Sequence, residues 1–144
     1  MKIAICGSLS FAEEIKKIKD QLTQKGHEVL LPHSIKKFTI EEIRSFKNDT
    51  EGRKKYFRIA PDYIKKHLNK VLNSDAILVM NLEKKGIKNY IGGNTFAEIM
   101  FAFFHDKKIF LLNPIPKNEK LSCIVDELKV VKPIILNGNL DLIE

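Results

Sequence analysis

Glu98 is the residue in this sequence best placed to do covalent chemistry. It is the only charged side chain between Tyr90 and Phe104, and it follows the segment Gly92-Gly93-Asn94-Thr95, which puts flexible backbone ahead of an apolar helix. Free N–H groups and the positive end of such a helix can hold an anion or a polar ligand, and they favour an ionised carboxylate, the state a nucleophile requires. A carboxylate in apolar surroundings is costly unless it is paired, hydrogen-bonded or used. The spacing Thr95-Phe96-Ala97-Glu98 also fits a capping box, in which the glutamate only returns a hydrogen bond to the cap residue; Ser10/Glu13 and Thr39/Glu42 share that spacing. His27, His33, His67 and His105 show no HxxxH or HExxH spacing, and Cys6 and Cys123 form no paired motif, so neither a metal site nor a cofactor is expected. His67 reads as a partly buried helix residue, and Cys6 as packing.

The elements that must position these residues alternate between strand and helix. Lys2 to Cys6 is a short apolar run ending at Gly7-Ser8, and a helix with Ile15, Ile18 and Leu22 on one stripe follows, stopping at Gly26. Glu28 to Leu31 reads as a second strand. A helix is expected from Thr39 to about Lys47, and another after Pro61 carrying Tyr63, Ile64, His67, Leu68, Val71 and Leu72. Asp75 to Met80 is the clearest central strand, apolar after its first residue and ended by Asn81. Phe96 to Phe104 is apolar nearly all round, so it must be covered on more than one side. Lys108 to Leu112, a helix at Leu121 to Leu128, and a short strand at Pro133 to Leu136 complete the chain. The pattern implies one α/β domain over 1–144 with a five-stranded, mostly parallel, doubly wound flavodoxin-like (Rossmann-like) sheet of order 2-1-3-4-5. In that order ligands bind where the sheet reverses, at the carboxyl ends of the first and third strands. Gly7, Ser8, Asn81, Gly92, Gly93 and Asn94 all fall near that crevice and are the candidate substrate-binding residues, with Glu98 beside them.

Composition narrows the function. The 144 residues carry a net charge of +7, and the stretch from Lys36 to Lys70 holds eleven Lys/Arg against five acids, +6 of that total. This basic helical insert at about 36–70 suits an anionic partner, or is a solvated face of a lysine-rich chain. With three Arg and few aromatics, nucleic-acid readout is poorly supplied. There is no GxxxxGK[ST] loop and no GxGxxG after the first strand, which argues against a Walker ATPase and a nicotinamide dehydrogenase. The cysteine usage and the short N-terminal apolar run suit a cytoplasmic protein with no membrane segment.

The combination of Gly7-Ser8 after the first strand, Asp75-Ala76-Ile77-Leu78-Val79 as central strand, and Gly92-Gly93-Asn94-Thr95-Phe96-Ala97-Glu98 opening an apolar helix resembles the nucleoside 2-deoxyribosyltransferase superfamily, which includes deoxynucleoside 5′-monophosphate N-glycosidases. The Gly-Gly-x-Thr-x-x-Glu segment also looks like the PGGxGTxxE motif of lysine-decarboxylase-like phosphoribohydrolases, without its leading Pro and third Gly. The first resemblance implies a homodimer or higher homo-oligomer in which Glu98 attacks the anomeric carbon of a nucleoside or nucleotide, expels the base and forms a glycosyl-enzyme, with Gly7 and Ser8 contacting substrate. Those enzymes usually have an aspartate eight residues before the central strand's own Asp; here that position is His67, a residue able to move a proton near neutral pH. The same fold without turnover, as a nucleotide-binding or sensing domain, is the alternative reading.

Overall fold

A computed structural model describes residues Met1–Glu144. Five strands, β1 (Lys2–Cys6), β2 (Glu28–Leu30), β3 (Ala76–Val79), β4 (Lys108–Leu111) and β5 (Ile134–Ile135), form one sheet of order β2-β1-β3-β4-β5. Every pairing is parallel, with Ile3 opposite Ala76 and Cys6 opposite Val79. This is the expected α/β, doubly wound arrangement. The central strands are apolar on both faces because both faces are covered. Ile3, Ile5, Leu78 and Met80 point into a core shared with helix α1 (Ala12–Gln24), the short helix α2 (His33–Lys37) and helix α3 (Ile40–Asn48). Ala4, Cys6, Ile77 and Val79 point the other way, toward helix α4 (Thr50–Leu72), helix α5 (Gly93–Phe104) and helix α6 (Ser122–Val131).

Several local expectations are corrected. The helix expected after Pro61 starts earlier: α4 runs unbroken through Pro61, started by Asp49, whose side chain accepts from the Gly52 N–H at 2.6 Å. Pro61 lacks the N–H that would reach back one turn, and packing against α3 and the sheet holds the helix despite it. Of the three capping boxes suggested by spacing, only Thr39/Glu42 forms, with both reciprocal hydrogen bonds present. In place of Ser10, Ser8 is the capping side chain, accepting from the Ser10 N–H at 3.2 Å at the start of a 3₁₀ turn (Leu9–Phe11). Helix α5 begins three residues earlier than its apolar run, with Gly92 at the cap, so Thr95 lies inside the helix and Glu98 is not part of a capping box. The C-terminal end of α5 is not covered within the chain: Phe103 is 44% and Phe104 79% exposed.

Gly7 is closely packed at the carboxyl end of β1. A Cβ on Gly7 would stand 3.1 Å from the Met80 Cβ, a contact that Met80 would have to relieve by a few tenths of an ångström, so the first residue after β1 is best left without a side chain. The pairing of β1 with β3, Cys6 opposite Val79, brings the two strand ends together at the point where the sheet order reverses.

Candidate active site

A cavity of about 230 Å³ opens at this reversal point, a size for a small ligand. Gly7, Ser8, His67, Gly92, Gly93, Asn94 and Glu98 line it, seven of the eight residues expected from sequence. The eighth, Asn81, does not. It is fully buried, its Nδ2 donates to the Asn113 and Pro114 carbonyls at 2.8 and 3.0 Å, and its Oδ1 accepts from the Asn113 N–H at 2.9 Å. Asn113 Nδ2 in turn donates to the Asn81 carbonyl at 3.1 Å. Asn81 therefore ties the chain after β3 to the chain after β4, and its amide is fully engaged away from ligand.

Glu98 stands at the buried end of the chemistry. Its side chain belongs to the second turn of α5 on the face turned to the sheet, and the residue is 5% exposed. Oε1 accepts from Asn94 Nδ2 at 3.0 Å, one helical turn earlier, while Oε2 has no hydrogen-bond partner. Burial raises its pKa from 4.5 to about 7, against the opposing effect of Cys6 and Asn94, which favour the carboxylate. Asn94, expected to contact substrate, is instead turned to the carboxylate.

His67, carried by α4, is also buried, and its Nε2 lies 3.9 Å from Glu98 Oε2 and 3.6 Å from Cys6 Sγ. Burial, aided by the charge of Lys70, lowers its pKa to about 4, so the imidazole is neutral at pH 7. The His67–Glu98 contact is then not an ion pair, and His67 at rest holds no extra proton to give a leaving group. Its Nε2 stands just beyond hydrogen-bond range of the one free carboxylate oxygen, a separation that a bound substrate can tighten. Cys6 is fully buried at the end of β1, and its thiol is pushed well up by burial and then by Glu98, which keeps it protonated and unreactive. Cys6, His67 and Glu98 offer ligand atoms within 4.8 Å of one another, a donor set that a transition metal can take. Residue spacing gave no sign of it, and binding there requires the Cys6 thiolate that burial opposes.

The cavity also contains residues not foreseen from sequence. Tyr56 and Tyr63 of α4 and Tyr90 line it with His33, whose ring meets Tyr63 edge-on at 4.8 Å. Such rings give a flat aromatic ligand faces and edges to pack on. Lys47 and Lys84 complete the wall. These residues come from α2, α3, α4 and the loop after β3, and no single sequence window carries a signal for their meeting.

Asn94 makes a testable contribution to this electrostatic setting. Its hydrogen bond favours the ionised carboxylate, so Asn94→Ala is expected to raise the Glu98 pKa above 7. A pH titration of Glu98 by carboxyl-selective NMR should show the midpoint moving up; an unmoved midpoint would mean that Asn94 does not tune the carboxylate.

No protein-family model matches the chain, and no curated protein matches it. Among solved structures, a 2-deoxyribosyltransferase from the psychrotolerant bacterium Bacillus psychrosaccharolyticus aligns at 17% identity and a TM-score of 0.49, over 79% of this chain and 73% of that one.

Proposed function

We propose that this protein cleaves or transfers an N-glycosidic bond of a nucleoside or nucleotide, with Glu98 as nucleophile. The observation that carries the reading is the free Glu98 Oε2, a buried, unpartnered carboxylate oxygen in a small cavity that tyrosines, histidines, two lysines and helix-terminal backbone help to line. The motif resemblance from Gly7-Ser8 to Glu98 points to the same chemistry. Ionised Glu98 attacks the anomeric carbon, a C–O bond forms as the C–N bond to the base breaks, and the base leaves with the bonding pair and takes a proton from solvent water. Water or a second base then displaces the carboxylate, giving hydrolysis or transfer. Neutral His67 orients the carboxylate and the departing base through Nε2. Asn94 holds the other oxygen in place. Gly93 leaves room for close approach to the start of α5, since nothing lies within 4 Å of where its Cβ would be.

A carboxylate nucleophile needs no metal, so dialysis against EDTA leaves turnover unchanged. The central test is release of free base, followed by chromatography, from a panel of nucleosides, deoxynucleosides and their 5′-monophosphates. Release from at least one is expected, and release from none would sink the reading in favour of a binding domain. The rate for an uncharged nucleoside rises with pH to a plateau above about 7 as Glu98 ionises. The protein works in the cytoplasm as a homodimer, with the exposed Phe103 and Phe104 of α5 as the surface a second copy covers. Sedimentation as a monomer at micromolar concentration would remove that part alone.

A further inference from the structure

Lys84 and Lys47 are an uncompensated pair of cations in a cavity wall. The Lys84 Nζ donates to Ser8 Oγ at 2.8 Å and lies 5.2 Å from the centre of the Tyr90 ring, which pins a half-buried ammonium at the carboxyl end of β1. Lys47 reaches the same cavity from the end of α3. Neither forms a salt bridge, although Lys54, Lys55 and Lys66 of the same basic stretch each pair with an acid. The only carboxylate lining the cavity is Glu98, which is held by Asn94. Burial, and then the neighbouring Lys47 and Lys85, lower the Lys84 pKa to about 7. Two ammoniums forced together with no acid between them are destabilising to each other. An anion seated between them removes that repulsion, and a tetrahedral one with several acceptor oxygens can take both ammoniums and the Ser8 hydroxyl at once.

We infer that Lys47, Lys84 and Ser8 form the subsite for a phosphate monoester, so that the substrate of this cavity is a nucleoside monophosphate in preference to the free nucleoside. The inference rests on the N-glycosidic reading for the identity of the rest of the ligand, but not for the anion site itself. The basic stretch contributes one residue, Lys47, and the second cation comes from outside it, in the loop after β3. The overall charge of 36–70 is therefore a poor guide to the site, because the other ten basic residues of the stretch do not line the cavity.

The test has two arms. In the first, inorganic phosphate is titrated against the intact protein by calorimetry, without any turnover. Saturable binding is expected, weakened roughly ten- to hundred-fold in Lys84→Ala and lost in the Lys47→Ala/Lys84→Ala double variant, while Lys88→Ala, on the exposed part of the loop, binds as the parent does. No phosphate binding, or binding unchanged in the double variant, would overturn the subsite. In the second arm, kcat/KM is compared for a nucleoside and its 5′-monophosphate. A preference of about a hundred-fold for the monophosphate is expected, collapsing toward unity in the double variant; equal rates in the parent would overturn the inference and leave the N-glycosidic reading standing. Absence of turnover on either substrate with lysine-dependent phosphate binding would do the reverse, sinking the glycosidic reading and retaining the anion site.

Discussion

Glu98→Gln is expected to lose turnover by at least roughly a thousand-fold, as removal of a nucleophile does, and to yield a more stable protein at alkaline pH. The second effect follows from burial. In the folded chain the carboxyl holds its proton up to about pH 7, whereas an exposed glutamate releases it at 4.5. Between those values the folded state binds a proton that the unfolded chain has given up. Stability from this group is therefore complete below about pH 4.5, falls as pH rises, and levels off above about 7. The fall amounts to about 3 kcal/mol. Glutamine has no proton to lose, and Asn94 can still donate to its carbonyl oxygen. The melting temperatures of variant and parent should nearly coincide at pH 5 and separate by roughly 5–10 °C at pH 8. Parallel curves across that range would show that the carboxylate is not strained by burial, and with it would go the reason for its raised pKa.

The second large effect falls on stability alone. Asn81→Ala removes a fully buried side chain whose donor and acceptor are both engaged with the chain after β4, and leaves the Asn113 N–H without its partner. Losing these buried bonds should cost about 2–4 kcal/mol, read as a drop of several degrees or more in the thermal midpoint. Because Asn81 lies outside the cavity, substrate KM below the new midpoint should not move. A selective rise in KM with an unchanged melt would assign Asn81 to substrate after all.

The contrast between Asn81 and Glu98 shows what could be read from the residues. Strand order followed from apolar runs that stop at Gly7, Asn81 and Asn113-Pro114, because strands buried on both faces leave a continuous signal. The crevice followed from the order, and Glu98 from being the lone charge in an apolar helix. Proximity to a strand end placed Asn81 in the same neighbourhood, but direction decides between ligand and backbone, and direction is not written in spacing. Pro61 looked like a helix start, since proline is favoured in a first turn; tertiary packing kept α4 continuous instead. Spacing alone could not separate the real capping box at Thr39/Glu42 from Thr95/Glu98, because the difference lies in where the backbone turns helical. Lys84, Tyr90 and His33 were invisible as a group because two elements far apart in sequence, the loop after β3 and α2, bring them together.

Pro61 also shapes how the cavity can behave. Tyr56, Ile59 and Ala60 precede it and Tyr63, Ile64 and His67 follow it, and all six line the same space. The wall thus straddles the one rung missing from the longest helix. A molecule seated against both halves spans that gap as a splint would, and the two ends of α4, one packed on α3 and the other delivering His67 to Glu98, then move as one piece.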